Sequence, residues 1–500
     1  MVESGLNGYK SGYSKHRKLE RLLRRKNLGF GLTTPNWTAW IRLTVSKTAA
    51  AASGRYTHQW SILTAPGATS PPRQPVNNTL SSSRYKLMSE KQEPVNERPE
   101  FDLFDPLFKA NPHPVYAQLR RLAPVHRVRN RDGRPLYLVT RYDEVMQVLK
   151  DPRFVKNRWA VMSPEQRVQA PEFPPAAQFL NRNLLALDPP EHTRLRTLVN
   201  KAFTSRSIER WRPIIQALAD ALLDRIQDQG RMDLIEDYAF PLPMNVITRL
   251  LGIPAEDQAL FRRWSTVLIA HTGTPDPPTI AIVAPVLEAL AVYLRQLFAA
   301  KRRHPQEDLT TQLVQAEDGG DTLSEDELIA MLMLLIVAGH ETTVNFIGNG
   351  VLALLQHPDQ LARLQAEPTL ITAAVEELLR YDGPVETSTL RYAMEEVELG
   401  GVTIPPGGLV LVVLTSANRD ERYFDQPDTL DITRTENRHL AFGYGIHFCL
   451  GAPLARLEGQ VAIGTLFRRL PNLRLAVDPT ALTWRLGLLM RGLNGFPVVF

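Results

Sequence analysis

The chain has 500 residues, 44% of them hydrophobic, with 58 Lys and Arg against 53 Asp and Glu and a single cysteine. One cysteine cannot form an intramolecular disulfide, which excludes a disulfide-stabilised fold, and the hydrophobic content is typical of a globular protein. The basic charge is confined to one end: residues 1–87 carry a net charge of +12, whereas residues 88–500 carry −7. An acidic main body argues against binding of nucleic acid.

The N-terminal segment differs in composition from the rest of the chain. Residues 1–87 are rich in Ser, Thr, Ala, Asn and basic residues, with little sustained hydrophobic periodicity. We predict that they are a disordered or spurious N-terminal extension, with an Arg-rich targeting peptide as the alternative. Residues 88–500 are predicted to form one domain, because no linker interrupts them. The longest apolar run, Leu328–Gly339, has 12 residues, which is too short to span a bilayer, so no membrane anchor is expected.

The first predicted elements follow Phe101. Val125–Arg129 and Pro135–Thr140 flank a turn that contains Asp132-Gly133, and this pattern predicts a β-hairpin. Asp143–Lys150 is predicted to be a short helix. Residues 155–187 are predicted to be irregular, and a long loop with apolar side chains is typical of a segment that lines a site.

The remainder of the chain is predicted to be mainly helical with small sheets. Helical patterns run from Thr193 to Leu379, interrupted by the proline-rich Gly273–Thr279. Short strands are predicted at Val397–Ile404 and Leu409–Thr415, on either side of a Pro-Pro-Gly-Gly turn.

One long helix contains a candidate chemical motif. Ser324-x-x-Glu327 is a capping-box pattern ahead of helical periodicity that reaches about Gln356. Within this helix, small Ala338 and Gly339 are expected to let a flat ligand approach, and Thr342 lies on the same face as Ala338. Glu341 beside Thr342 supplies an acid and an alcohol. A buried Thr-rich helix with a solvated Glu is the alternative.

The single cysteine lies in a glycine-rich decapeptide, Phe442-Gly-Tyr-Gly-Ile-His-Phe-Cys449-Leu-Gly451. A buried cysteine that served only as an apolar filler would not need these glycines or a histidine two residues earlier. A helical pattern begins just after the thiol, so backbone N–H groups and the helix dipole are expected to stabilise a thiolate. Such a thiolate suits a soft or redox-active metal.

Two further pairs of charged residues have helical spacing. Glu377 and Arg380 are three apart, and as an exposed pair they would contribute only about 0.2–0.5 kcal/mol. His192 and Arg196 are four apart and would present two donors to an anion, although such a pair alone is more often a solvated face.

These motifs together resemble one family. The decapeptide matches the Phe-x-x-Gly-x-His-x-Cys-x-Gly signature of the haem-thiolate monooxygenases, and the chain resembles a soluble, bacterial-type cytochrome P-450. The Ala338–Thr343 hexapeptide is similar to the oxygen-activation motif of that family, and Glu377, Arg380 and Arg434 to its buried charged network. The resemblance covers roughly residues 100–500. It implies a mainly α fold with small β-sheets, in which haem lies between the long central helix and the helix after the cysteine.

The resemblance also implies roles for individual residues. Cys449 would be the proximal ligand of the iron in haem b, and Thr342 and Glu341 would be the catalytic pair that delivers protons. The haem propionates would be held by His192, Arg196, Arg391 and His447. The other haem contacts implied are Ala338, Phe442, Gly443 and Gly451.

The implied activity is insertion of one oxygen atom from O2 into a hydrophobic small molecule, by hydroxylation or epoxidation, in secondary metabolism. The chain leaves no room for a flavin or nicotinamide domain, so a separate ferredoxin or flavodoxin with its reductase is expected to supply electrons. Candidate docking residues are Arg419, Arg438 and Arg456. The expected substrates are those of bacterial relatives: macrolides, polyketides, fatty acids or terpenoids. A cytoplasmic monomer is expected.

Two other functions are weighed against this one. A peroxide-driven peroxygenase of the same family usually lacks the acid–alcohol pair, which this chain keeps at Glu341 and Thr342. A non-catalytic haem sensor would not need that pair, and an attached output module would be expected.

Overall fold

The computed structural model describes residues 102–500, except 131–132, 170–173, 204 and 271–276. The described residues belong to one compact unit, Pro94–Phe500. The predictions for residues 1–87, and most of the interruption at Gly273–Thr279, lie outside the described residues.

The described chain is mainly helical. The α-helices, in chain order, are α1 Pro106–Ala110, α2 His113–Leu122, α3 Tyr142–Lys150, α4 Arg158–Val161, α5 Pro164–Gln169, α6 Glu191–Ala202, α7 Ser205–Glu209, α8 Arg212–Asp224, α9 Pro241–Leu250, α10 Gln258–Ala270, α11 Pro277–Arg303, α12 Leu309–Val314, α13 Glu325–Gln356, α14 Pro358–Ala366, α15 Ile371–Asp382, α16 Leu414–Ala417 and α17 Ala452–Arg469. A π-helical turn at Ile235–Ala239 and short 3₁₀ turns, among them Pro175–Asn181 and Gly445–His447, connect them.

The strands are short and form small sheets. They are β1 Val125–Arg129, β2 Pro135–Val139, β3 Phe154–Val155, β4 Arg231–Asp233, β5 Glu317–Asp318, β6 Asp321–Thr322, β7 Arg391–Ala393, β8 Val397–Leu399, β9 Val402–Ile404, β10 Leu409–Val412, β11 Arg474–Leu475 and β12 Pro497–Val499. The largest sheet has the order β1-β2-β10-β7-β3, with β10 parallel to β2 and the other pairs antiparallel.

Several local predictions are confirmed and others need correction. The β1–β2 hairpin and the helix α3 form where the sequence predicts them. The strand predicted at Val397–Ile404 is instead the hairpin β8–β9, because Gly400 and Gly401 adopt positive φ angles and turn the chain. The strand that begins at Leu409 ends at Val412, and α16 follows it. The segment 155–187, predicted to be irregular, contains α4, α5 and a 3₁₀ turn.

The central helix α13 is the main element of the core. Its N-terminus has the predicted capping box, in which the Ser324 backbone N–H donates to the Glu327 carboxylate at 2.8 Å and the Glu327 N–H donates to the Ser324 hydroxyl at 3.3 Å. Helices α9, α15 and α17 pack against it. Two described helices, Thr279–Arg303 and Glu325–Gln356, are long and apolar enough to cross a membrane, but the second is this buried core helix.

Candidate functional site

The cysteine loop has a backbone that requires glycine. Gly443 and Gly445 have φ angles of 69° and 74°, which side-chain-bearing residues rarely adopt. A Cβ atom at Gly445 would also lie 2.6 Å from the Leu149 carbonyl oxygen at the end of α3. Gly451, in contrast, has a φ of −82° and is the N-cap residue of α17. The loop therefore fits against α3 and delivers Cys449 to the start of α17.

Two opposing effects act on the Cys449 thiol. Burial raises its pKa, while the backbone N–H groups of Gly451 and Ala452 and the charge of Arg196 lower it, and the net shift is upward. The thiol lies at a helix N-terminus, as the sequence predicts. The expected stabilisation of the thiolate is present but does not dominate. Burial outweighs that effect in the unliganded protein. A coordinated metal ion reverses the balance, because it deprotonates a thiol outright.

Cys449 is not part of a cluster of metal ligands. Among the described residues, no group of three or more His, Cys, Asp or Glu side chains is placed to hold a metal ion.

The four residues predicted to hold the haem propionates lie near the cysteine loop. The rings of His192, on α6, and His447 lie 4.4 Å apart between centroids. Arg196 donates to the Phe448 carbonyl oxygen at 2.9 Å, and its charge acts on both Cys449 and His447. Arg391, on β7, also acts electrostatically on His447. The fold thus brings together residues that are more than 250 positions apart in the sequence.

These donors are buried but unsatisfied. Within the described part of the chain, both ring nitrogens of His192, Nε2 of His447 and Nε of Arg391 lack a hydrogen-bond partner. His192 and Arg391 are only 2% and 3% exposed. Buried polar groups without partners are rare in native proteins and costly, so a cluster of them indicates a ligand that supplies the missing partners.

Lys156 is a member of this cluster that the sequence analysis missed. Its ammonium group is buried and donates to the Thr389 and Leu390 carbonyl oxygens at 2.9 and 3.3 Å, and to the Thr389 hydroxyl. Burial lowers its pKa, and Arg391 lowers it further. Lys156 lies just after β3, and no motif surrounds it, so only the tertiary structure reveals its place.

The charges of this cluster favour an anion. Lys156, Arg196 and Arg391 are the basic groups, and Asp188 is a carboxylate that acts on two of them. Burial lowers the pKa of His447 to about 2 and also lowers that of His192, so neither ring carries charge at neutral pH. Arg391, whose pKa is lowered to about 10 by burial, stays charged at neutral pH, so the cluster favours an anionic ligand. Haem b has two propionates, so the residues present fit that group.

The central helix has one exposed stripe. Ala338 is exposed, and Leu334 and Thr342, one turn away on either side, are partly exposed, in a helix that is otherwise largely buried. Residues four apart lie on one face, so these three residues form a single accessible stripe. Gly339 does not belong to it, contrary to the expectation that it admits a flat ligand. A Cβ atom at Gly339 would lie 3.0 Å from Ile247 on α9, so this glycine serves helix packing.

The acid and the alcohol have different partners. The Thr342 hydroxyl donates to the Ala338 carbonyl oxygen at 2.9 Å, and α13 continues without a break at this point. Glu341 is buried, and its Oε1 lies 2.9 Å from Nη1 of Arg485. Burial raises the pKa of Glu341 to about 7, although Arg485 opposes that rise. The alternative of a solvated Glu341 is therefore wrong, and Arg485 is a second residue that the sequence analysis missed.

The charged network at Glu377 is centred on a fully buried pair, Glu377 and Arg380. Arg380 donates two hydrogen bonds of 2.8 Å to Glu377, and Arg434 approaches it at 3.2 Å, as the family resemblance implies. Arg380 also donates to the carbonyl oxygens of Asn418, Pro427 and Thr429. The network therefore holds the segment 418–434 that leads to the cysteine loop.

The three arginines proposed as docking residues differ in exposure. Arg419 is buried and donates to the Tyr381 carbonyl oxygen at 2.7 Å, so its prediction as a docking residue is wrong. Arg456 is partly exposed but paired with Glu376 at 2.7 Å. Arg438 is exposed.

Comparisons with known proteins agree with this geometry. The sequence model of the family described as cytochrome P450 (written P-450 below) matches residues 111–254 and 291–481. Cytochrome P-450 107B1 of Saccharopolyspora erythraea is 48% identical over 406 residues, covering 81% of this chain and 98% of that protein. The cytochrome P-450 monooxygenase PikC of Streptomyces venezuelae is 46% identical over 394 residues, covering 78% and 91%.

A solved structure shows the same fold. It is that of PksS, a cytochrome P-450 of the bacillaene polyketide synthase of Bacillus subtilis 168. Its sequence is 41% identical, its TM-score is 0.75, and the match covers 80% of this chain and 99% of that one. The chain belongs to the cytochrome P-450 family. It is a bacterial-type monooxygenase of secondary metabolism whose cofactor is haem b.

Proposed function

We propose that this protein inserts one oxygen atom from O2 into a hydrophobic small molecule, with haem b held by Cys449 and by the donor cluster around His192, Arg391 and His447. The observation that carries this assignment is that cluster, in which buried polar groups without partners lie beside the single thiol.

Cys449 binds the haem iron through Sγ in this proposal, and the backbone N–H groups of Gly451 and Ala452 orient the sulfur. Thiolate-ligated haem, when bound, supplies the activation of O2 and the transfer of one oxygen atom. Phe442 and Gly443 contribute the backbone around the sulfur, since the Cys449 N–H donates to the Phe442 carbonyl oxygen at 3.0 Å.

The donor cluster orients the cofactor. His192, Arg196, Arg391 and His447 hold the propionates, and we add Lys156 to them. Charge-assisted hydrogen bonds to carboxylates are stronger than neutral ones, and here they also satisfy donors that are otherwise buried without partners. Ala338, the small exposed residue of α13, leaves room for the flat ring system.

Glu341 and Thr342 move protons. A carboxyl group with a pKa of about 7 is present in both protonation states at neutral pH, which is the condition under which an acid–base group works best. Glu341 takes a proton from solvent, and the Thr342 hydroxyl passes it into the space beside Ala338. The overall reaction consumes O2, two electrons and two protons, and it yields the oxidised substrate and water.

Electrons come from a separate ferredoxin or flavodoxin with its reductase. Arg438 and Arg456 are the remaining docking candidates near the cysteine loop. The protein acts as a monomer in the cytoplasm, and gel filtration of the holoprotein tests its oligomeric state.

The substrate is a hydrophobic product of secondary metabolism. Leu334 and Ala338 supply an apolar wall, and the solved relative PksS is associated by its name with a polyketide synthase. Polyketides are therefore the first class to test. A titration of the ferric protein with macrolides, polyketides, fatty acids and terpenoids identifies substrates by the change in iron spin state.

The decisive experiment is the spectrum of the reduced holoprotein under carbon monoxide. A strongly red-shifted Soret band is expected, and its loss in Cys449→Ala identifies the ligand. Absence of the band from the wild-type protein contradicts the proposal. Turnover with peroxide at the rate reached with a reductase would favour a peroxygenase instead.

A further inference from the structure

Arg485 is the charged group that the structure places on Glu341. Nη1 of Arg485 lies 2.9 Å from Oε1 of Glu341, and among the described residues Oε2 of Glu341 has no hydrogen-bond partner. The Arg485 side chain is 29% exposed, whereas that of Glu341 is 4% exposed. The arginine therefore connects a buried acid to solvent.

The backbone of Arg485 is held by a hairpin near the C-terminus. Its N–H donates to the Gly492 carbonyl oxygen at 2.9 Å, and the preceding Trp484 pairs with Leu493 in an antiparallel bridge. The guanidinium of Arg491 lies 3.8 Å from the centre of the Trp484 ring. A hairpin anchored on both sides keeps Arg485 at one position, 144 residues after Glu341 in the sequence.

Other charged groups do not share this role. The Nδ1–H group of His340, beside Glu341 on α13, donates to the Ile336 carbonyl oxygen at 2.8 Å, and burial lowers the pKa of this histidine to about 4. It is therefore neutral at pH 7. Within the described chain, the effects that act on the pKa of Glu341 are burial, which raises it, and the charge and hydrogen bond of Arg485, which lower it.

We propose that Arg485 is a positioning residue that holds the carboxylate of Glu341 at the solvent end of the proton route. This inference rests on the proposed function. In each cycle the O–H bond of protonated Glu341 breaks as its proton passes to the Thr342 hydroxyl, and the proton that this hydroxyl gives up is one of the two that the overall reaction consumes. The carboxylate pairs with Arg485, and a proton from water then restores the acid. Without Arg485, the carboxylate would form in the buried site with no cation to stabilise it.

The test compares Arg485→Gln and Arg485→Lys with Glu341→Gln in the holoprotein. Arg295→Gln is the matched control, since Arg295 pairs with Glu325 at 3.2 Å on the exposed N-terminus of the same helix. Two quantities are measured as a function of pH. The first is the infrared band of protonated carboxyl groups that disappears in Glu341→Gln. The second is the ratio of product formed to electrons consumed, with a substrate identified by the spin-state titration.

The midpoint of the Glu341 titration is expected near pH 7 in the wild type and in the control. It should rise by at least about one pH unit in Arg485→Gln, because a unit charge at this distance is worth a few kcal/mol at an effective dielectric constant of about 20. Arg485→Lys keeps the positive charge, so its titration midpoint should lie close to that of the wild type. Arg485→Met replaces the Gln variant if that variant does not retain haem.

An unchanged midpoint in Arg485→Gln, with a clear effect of Glu341→Gln, overturns this inference and leaves the proposed function intact. If Glu341→Gln changes neither the infrared band nor the coupling ratio, the role proposed for the acid is wrong as well, and the inference is overturned with it.

Discussion

Two buried clusters of charge in this fold differ in how completely their hydrogen bonds are satisfied. Around Glu377, both carboxylate oxygens accept from Arg380, and Arg434, Asn437 and the Asp431 N–H add further bonds. Around His192 and Arg391, buried donors of the described chain lack acceptors. In the first cluster the Glu377 carboxylate is fully paired, and among the described residues only Oδ1 of Asn437 there lacks a partner. The second has the features of a ligand site, and its arginines favour an anionic ligand.

The largest effect is expected from breaking the satisfied cluster. Arg380→Met leaves the Glu377 carboxylate buried without its main partner, which costs about 3–5 kcal/mol of unfolding free energy. The matched control is Arg212→Met, since Glu209 and Arg212 have the same i, i+3 spacing but lie at the surface. Exposed pairs contribute little, so the control should change stability by less than about 1 kcal/mol. Urea denaturation measures both, and equal changes would contradict the distinction.

Breaking the unsatisfied cluster should affect cofactor binding instead of folding. In the proposed function Arg391 donates to a haem propionate, so in Arg391→Met haem should transfer to apomyoglobin on the order of 10- to 100-fold faster. The unfolding free energy of the apoprotein should stay constant or increase, because a buried unpaired charge is removed. Arg153→Met, which removes an arginine paired with Asp151, is the control. If the variant apoprotein is destabilised while haem retention is normal, Arg391 has a structural role instead of the proposed haem-binding role.

A third variant tests a buried acid between α13 and α17. Burial raises the pKa of Glu458 from 4.5 to about 8, with the Thr343 hydroxyl opposing the shift. The unfolded chain ionises above about pH 4.5 while the folded protein stays protonated, so Glu458 lowers stability progressively as the pH rises from 4.5 to about 8. Glu458→Gln should remove this dependence. Urea midpoints across that range measure it, and parallel curves for the two proteins would refute it.

The smallest effect, of opposite sign, is expected at Glu376. Its burial would raise the pKa, but hydrogen bonds from His439 and Arg456 prevail and lower it from 4.5 to about 2. The stabilisation is therefore present above about pH 4.5 and is lost as the pH falls towards 2. Glu376→Gln should be less stable than the wild type at pH 6, and the two should converge in acid. The same urea series checks this, and a gap that widens in acid would contradict it.

Local features of the site could be predicted because short-range geometry controls them. The capping box at Ser324 uses residues three apart, and the turns at Gly443 and Gly445 need positive φ angles that glycine supplies. The placement of Cys449 just before a helix follows from the apolar periodicity after it. The sequence could not predict which side of the central helix faces a ligand. Ala338 and Gly339 look equally suitable for such a contact in the sequence, yet Gly339 packs against Ile247.

The sequence by itself determined the family, the cofactor and the order of the chemical groups along the chain: the acid and alcohol at Glu341 and Thr342 and the thiol at Cys449. Only the tertiary structure decided which charges meet. It buried Arg419, added Lys156 to the donor cluster and paired Arg485 with Glu341. Helical and strand periods specify which residues share a face, but partners of a buried charge come from distant segments and depend on how the elements pack.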